Sequence, residues 1–317
     1  MRAVRVLLLG ILAATGCKFL DTLGVKPRPP ADTANGILPD RPAGDFVSYL
    51  NAQAAAVQSI RFDDVSVKAS DQGNDMPRLG EGVLVCAKPR NFRMIAGHVL
   101  TSGTEVDLGS NSSEFWMYVK RPQQTFIYCS HEDFSQGKAN LPIPFETDWV
   151  LEALGMAPLD PNLQYAVETN QKERVYTLTW EAKTPQGEPI RKTTVFAGDR
   201  ASADRPQVVR HVVTDANRKV IATADVREVR PTPIGDTTVL VPTRVALEWP
   251  QQKFKMDLTL GRPSVNGNLS QKDFDYFFKR PTISGANPIN LAAARYTPSS
   301  YRGATPGDSR PRVFGSR

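Results

Sequence analysis

The stretch LGEGVLVCAKPRNFRMIAGHVLTSGTEVDLGSNSSEFWMYVKRPQQTFIYCSHEDF, Leu79 to Phe134, decides the fold. Apolar residues recur at every second position, which is the period of a β-strand. In the run from Val83 to Ala87, Val83, Val85 and Ala87 face one way, and Leu84 and Cys86 the other. In the next run Phe92, Met94, Ala96, His98 and Leu100 share a face. Phe115, Met117 and Val119 alternate against Trp116 and Tyr118. Pro89-Arg90-Asn91, Gly103 and Arg121-Pro122-Gln123-Gln124 are turn chemistry. A sheet with one wet face alternates apolar with polar residues, but here both parities are apolar or aromatic. Both faces of this sheet are therefore expected to be covered, one of them by helices.

Upstream, Ile60 to Lys68 reads as a first strand with a bulge at Asp63-Asp64. Before it, Asp45 is placed to cap a helix from Phe46 to about Val57, with Phe46, Tyr49, Leu50, Ala54 and Val57 on one stripe interrupted by Gln53. Downstream, Pro142 and Pro144 break the sheet. Thr147 is placed to cap a helix from Asp148 to Met156, with Phe145 as its staple. Trp149, Val150, Leu151, Ala153, Leu154 and Met156 make that helix apolar nearly all round, so it is expected to be buried or to plug a space. From Tyr165 to Val265 strands return. Tyr176, Leu178 and Trp180 alternate. So do Val239, Val241, Val245, Leu247 and Trp249, then Phe254, Met256, Leu258 and Leu260. Their opposite face carries Arg244, Glu248, Lys253, Lys255 and Asp257, so this half has one apolar and one solvated face. Ser270 caps a closing helix with Phe274, Phe277 and Phe278, ended by Pro281.

The two ends differ in kind. Met1 to Cys17 has Arg2 and Arg5, then an apolar run from Val6 to Ala14, then Thr15-Gly16-Cys17, which is the build of a secretory signal. The run falls short of the roughly 20 residues that cross a bilayer. The small residues before Cys17 resemble a bacterial lipobox, which implies that Cys17 is diacylated and becomes the mature N-terminus. The proline-rich polar stretch Lys26–Ala43 suits a semi-rigid tether above a membrane. Lys18, rather than aspartate, after the cysteine favours the outer membrane. At the other end, Ser284 to Arg317 is rich in Gly, Pro, Ser and Arg and reads as disordered. The domains expected are a signal peptide at 1–16, a lipidated N-terminus and tether at 17–44, a folded domain at 45–282 and a basic tail at 283–317.

In 317 residues, 22 glycines and 25 prolines crowd toward the ends, and a mean hydropathy of -0.33 excludes a polytopic membrane protein. The net charge of +6 lies largely in the tails, so a solvated basic surface is expected and not a nucleic-acid groove. Chemistry is sparse. Cys86, His98, Cys129 and His131 can be drawn as a soft-metal set, but two buried thiols and ordinary strand histidines explain them as well. No metal or cofactor is expected. A Cys86–Cys129 disulfide would suit an oxidising compartment, yet a meander leaves two or three strands between them, beyond the roughly 7 Å that a bridge tolerates. Cys129 and His131, as strand neighbours, lack a third group for a nucleophile and base pair. There is no G-x-S-x-G, P-loop, G-x-G-x-x-G or H-E-x-x-H. The protein is expected not to be an enzyme.

Three segments resemble the LolA/LolB superfamily of bacterial lipoprotein carriers. They are Lys88-Pro89-Arg90-Asn91-Phe92-Arg93, then Leu108-Gly109-Ser110-Asn111 with Phe115-Trp116-Met117-Tyr118, and Asp273 to Pro281, "DFDYFFKRP". The element order agrees over roughly Asp45 to Pro281. The resemblance implies a mainly β fold, an antiparallel unclosed half-barrel with helices on its concave face, and a cavity that takes acyl chains. Residue by residue it carries over to Arg93, Trp116 and Tyr118. As an apparent lipoprotein, the chain is more similar to the membrane-anchored acceptor than to the soluble shuttle, although no match to the acceptor's apolar insertion loop is evident. The aromatics are core by default and become a ligand wall if the sheet curves round a void. The expected cavity residues are Phe92, Arg93, Trp116, Tyr118, Phe126, Tyr128, Trp149, Leu154, Trp180 and Trp249. The first expectation is thus a lipid-anchored envelope protein facing the periplasm that binds lipid or lipoprotein acyl chains and acts in lipoprotein sorting. The alternative is a lipoprotein whose filled barrel docks other envelope proteins.

Overall fold

The computed structural model describes residues 37–98, 101–121, 124–141, 146–202 and 205–293. Cys17, the signal segment and most of the tether lie outside the described residues, as do Pro142, Pro144, Phe145 and residues 294–317. Helix α1 (Ala43–Ala56) leads into β1 (Ser59–Asp71) and the short β2 (Asn74–Asp75). A first meander follows: β3 (Leu79–Ala87), β4 (Asn91–His98), β5 (Thr101–Ser110), β6 (Glu114–Val119) and β7 (Thr125–Ser130). Helices α2 (His131–Ser135) and α3 (Thr147–Ala153) come next. The second meander is β8 (Tyr165–Asn170), β9 (Val175–Lys183), β10 (Pro189–Ser202), β11 (Arg205–Asp215), β12 (Val220–Ile234), β13 (Thr237–Trp249) and β14 (Phe254–Leu260). β15 (Pro263–Val265), α4 (Gln271–Phe277) and β16 (Ile289–Asn290) close the order.

All these strands belong to one sheet, ordered β16-β7-β6-β5-β4-β3-β1-β14-β13-β12-β11-β10-β9-β8, with β2 and β15 paired to β1. Pairing is antiparallel except at β16, which adds parallel to β7. β1 is the joint between the two meanders. Its first part pairs with β15 (Ile60↔Val265) and its second with β14 (Val65↔Leu260). The expected irregularity at Asp63-Asp64 falls between those parts, where the register with β3 shifts. An extra residue bends a strand and raises its twist, so β1 can serve two neighbours. β7 and β8 do not pair with each other, and the half-barrel stays unclosed.

The concave face carries the main core. Phe62, Leu84, Phe92 and Met94 from one half meet Val245, Leu247, Trp249 and Met256 from the other. Trp149, Val150, Leu151 and Ala153 of α3, and Leu154 at its C-cap, sit in the same cluster. Of the two outcomes its all-round apolar surface allows, burial is the one seen, because the helix has almost no polar face to give to water. α1 lies over the second meander, where Phe46 packs on Tyr176 at 5.2 Å and Phe196 at 4.7 Å. Its C-terminal end is held by Asn266, whose side-chain amide donates to the Ala56 carbonyl at 2.7 Å and accepts from Gln58 N at 2.7 Å. These bonds satisfy groups that the helix end leaves open.

Several local expectations are corrected. α1 begins at Ala43 with Pro42 at its N-cap, and Asp45 sits in the first turn instead of capping it. α3 runs from Thr147 only to Ala153, and Glu146, not Thr147, holds the N-cap without a side-chain bond. His131 is not on a strand. It starts α2, because the Ser130 hydroxyl accepts from Asp133 N at 3.0 Å and turns the chain into a helix. Residues 283–293, expected to belong to the tail, are ordered against the sheet. Leu291 is buried, Ile283 and Ala286 pack on the sheet, and Ile289 pairs with Ile127.

Candidate functional site

The sheet separates the expected cavity residues into two groups. Phe92, Trp149, Leu154 and Trp249 share the concave core, with the two tryptophan rings edge to face at 5.7 Å. Trp180, also buried, is on the same parity of β9 as Tyr176, which touches α1. Arg93, Trp116, Tyr118, Phe126 and Tyr128 lie on the opposite, convex parity. There Ile283 and Ala286, in the segment after α4, cover Trp116, Tyr118 and Phe126, Phe277 and Phe278 pack beside them on Val85 and Ala87, and the Arg280 guanidinium stacks 3.5 Å from the Tyr128 ring.

The convex group is organised by one buried ion pair. Arg93 donates Nε to Asp107 Oδ1 at 3.1 Å and Nη2 to Oδ2 at 2.7 Å, with both side chains almost fully buried. Trp116 Nε1 donates to the same Oδ1 at 3.1 Å. The remaining Arg93 Nη1 donates to the carbonyls of Tyr276 and Phe277 in α4. A guanidinium has a fixed fork of donors, and here nearly all of it is used. Gly109 makes room, since a Cβ there would lie 2.1 Å from the Trp116 ring. Asn111 accepts from Ser113 N and Glu114 N and donates to the Phe278 carbonyl at 3.0 Å. The three segments that resemble a lipid-carrier family are thus the parts that fasten the closing helix to the wall.

The open site lies on the concave side, where the two ends of the sheet approach over α3. A cleft of about 540 Å³ runs between α2 and β6 on one flank and the β9–β10 turn on the other. The Gln186 amide reaches the Phe134 carbonyl across it at 3.3 Å. Phe115, Phe134, Leu141 and Trp149 supply apolar wall. α3 is tied to both flanks. Arg90, in the β3–β4 turn with the cis Lys88–Pro89 bond, makes a bidentate pair with Asp148 at 2.9 and 2.7 Å. Lys192 of β10 pairs with Glu152 at 2.5 Å. The same β3–β4 turn holds α1, through Lys88 Nζ to the Ala54 carbonyl.

Behind Lys192 the polar lining continues into the barrel. Thr194 Oγ1 and His211 Nδ1 are 3.1 Å apart, and both residues are buried. Burial pushes the His211 pKa down, Glu152 opposes this and Lys192 adds to it. His131, which meets the Asn111 carbonyl at 2.9 Å at the rim, is also pushed down by burial. Burial raises the Glu146 carboxyl, against the pull of Lys192. Sequence reasoning missed Glu152, Lys192, Thr194 and His211. A signal was there: on β10 the inward parity reads Ile190, Lys192, Thr194, Phe196, polar residues at positions that alternation reserves for the core.

The thiols do not form a reactive centre. Cys86 and Cys129 are buried and free, and β4, β5 and β6 stand between their strands. Burial pushes both thiols up, away from the nucleophilic thiolate. Among the described residues no group of three or more His, Cys, Asp and Glu is placed to hold a metal ion, and no helix is long and apolar enough to cross a membrane.

No family model matches the chain, and no curated protein matches it. Solved structures do. The chain is similar to a DUF1329 family protein of Desulfovibrio piger (12% identity, TM-score 0.49, 74% of this chain and 95% of that one). It is similar to a putative outer membrane lipoprotein-sorting protein domain of Vibrio parahaemolyticus (9% identity, TM-score 0.49, 74% and 98%). It is also similar to a LolA superfamily protein of Nitrosomonas europaea (11% identity, TM-score 0.45, 74% and 97%). The class is defined by the chain's own strand order: a large, unclosed antiparallel half-barrel with a buried helix over its concave face.

Proposed function

We propose that this chain is a lipid-anchored protein of the cell envelope that takes the acyl chain of a lipid or lipoprotein between α3 and the concave sheet. The observation that carries this reading is α3 itself. It is a seven-residue helix, apolar nearly all round, lying at the gap of an unclosed sheet beside a 540 Å³ cleft. So short a helix has little stability of its own, and ion pairs on its two flanks keep it in place. Displacing it would open the core around Phe92, Trp149, Leu154 and Trp249. An acyl chain entering there gains about 0.8 kcal/mol for each methylene buried. Trp180, packed on Tyr165 at 5.7 Å, continues this parity along β9. Arg93, Trp116, Tyr118, Phe126 and Tyr128 keep the wall rigid from behind. Acylation at Cys17 and the Lys26–Ala43 tether would place the domain on the outer membrane, facing the periplasm, with a role in lipoprotein sorting.

One observation favours a second reading. The interior around Trp149 and Trp249 is packed ring against ring, and among the described residues β8 ends the sheet with no strand on its outer side. In that case the filled barrel docks envelope proteins by strand addition. Native mass spectrometry of the full chain carrying Cys17→Ser separates the two. A one-to-one complex with a fatty acid or a lipopeptide is expected. A chain that stays ligand-free with both, while purifying with envelope proteins, overturns the first reading for the second.

A further inference from the structure

A second cleft, of about 610 Å³, lies away from the seam on the β11–β14 side. Its origin is a fork. β11 pairs with β12 only as far as Arg210↔Asp225. β12 runs on to Ile234 with β13 as its partner, through register shifts at Glu228. β14 leaves β13 at Arg244↔Thr259 and continues on β1. Where the strands part, Arg227, Arg230 and Arg262 line one opening, with Gln207, Thr243 and Thr259 as neutral donors. Gly261 lets β14 approach β1 closely just before Arg262, since a Cβ there would lie 2.9 Å from Asp64 Cβ.

The charge at this fork is not balanced as it is elsewhere in this half. Arg191 is paired with Glu181, Arg210 with Asp225 and Arg244 with Glu228. Arg227 is held by Asp257 at 2.7 Å. Arg230 and Arg262 are exposed and have no acid in ion-pair reach among the described residues. Among the described residues the one acid in the lining, Glu228, is already engaged by Arg244 at 3.4 Å. Arginine forks match the oxygens of phosphate in parallel pairs. Two unpaired forks, with the Asp257-bound Arg227 beside them, round a volume in the range of ligand sites suit a group larger than a bare carboxylate.

We propose that this fork is a binding site for a phosphate group, contributed by a phospholipid headgroup or by a soluble phosphate, with Arg230 and Arg262 as its main ligands. The site is independent of the seam and stands or falls without it. The test uses the full chain carrying Cys17→Ser. Inorganic phosphate is titrated calorimetrically, and co-sedimentation compares vesicles of phosphatidylglycerol in phosphatidylcholine with vesicles of phosphatidylcholine alone. Binding of phosphate, or a preference for the anionic vesicles, is expected, falling with added salt. It should weaken about tenfold for each arginine removed in Arg230→Gln and Arg262→Gln. Lys255→Gln, on the solvated face and paired with Glu248, is the charge control and should change nothing comparable. Binding of phosphate alone identifies a soluble source, and an arginine-dependent vesicle preference identifies a headgroup; either supports the site. Failure of both probes, or equal loss in the Lys255 control, overturns it. Melting curves verify that the variants fold. If the double variant does not, the single changes decide.

Discussion

β4 and β13 belong to the same sheet and bury the same kind of alternation on its concave side, Phe92-Met94-Ala96 against Val241-Val245-Leu247. They part company on the other side. Arg93 of β4 has a side chain 6% exposed, locked to Asp107 under α4, while Arg244 of β13 is 47% exposed beside Glu228. In the first half a charge has been carried into a dry layer and had to be satisfied there completely. In the second half the same residue type stays in water. The two ion pairs look alike on paper, but their environment decides what each contributes. An exposed pair contributes about 0–1 kcal/mol. Breaking a buried one leaves an uncompensated charge and costs about 3–5 kcal/mol. The first half thus keeps this charge in a buried layer behind the core, and the second half leaves its charges in water.

The largest test of that contrast is Asp107→Ala, which strands Arg93 and removes the acceptor of Trp116 Nε1. Urea unfolding should show a loss of about 3–5 kcal/mol. A loss no greater than that of Arg244→Ala would remove the distinction between the halves. Gly109→Ala is next, because its methyl collides with the Trp116 ring. About 1–3 kcal/mol should go to repacking, with a shift in tryptophan emission as the second readout.

Smaller effects sharpen the picture of the concave side. The His211 pKa lies below its ordinary 6.5 because of burial. The unfolded chain therefore binds the proton more readily, and His211 adds nothing adverse above pH 6.5. Its destabilising contribution grows as pH falls through 6.5 and is complete below the folded pKa. His131 acts in the same direction. The raised Glu146 carboxyl acts oppositely, costing stability as pH rises through the carboxylate range. His211→Gln should accordingly flatten the stability profile on the acid side of 6.5 without moving the Glu146 part. An unchanged profile would show that His211 is not the group responsible. The smallest effect belongs to Arg244→Ala, within about 1 kcal/mol, and added salt should reduce even that.

Much of this was legible in the residues. The parity of Leu84 and Cys86 against Val83 and Val85, the solvated face of β13 and β14, the Asp63-Asp64 bulge and the Ser270 cap all follow from local chemistry, and the structure has them. What misled was equally local. Cys129-Ser130-His131 continues a strand by spacing alone, yet Ser130 and Asp133 form a cap and the strand stops. Gly, Pro and Ser after residue 283 read as tail, yet Ile283, Ala286 and Leu291 are apolar enough to cover what the wall leaves open. The inward polar set at the seam was hidden because Lys192 and His211 become neighbours only through β10–β11 pairing and the placing of Glu152 beside them.

By itself the sequence determined which residues of each strand share a face, where the turns fall, and that the first half is apolar on both sides. Those properties depend on period and on neighbours a few positions away. Only the tertiary structure decided which face looks into the half-barrel, what covers the other, and where the two ends of the sheet meet. These depend on partners far apart in the chain, as when Arg93 donates to the carbonyl of Tyr276, 183 residues on, and Gln186 reaches back to Phe134. The stretch from Leu79 to Phe134 has the composition of a ligand wall. Its assignment of one side to a cavity and the other to a fastening helix was settled by packing, since an apolar face records only that it must be covered and not by what.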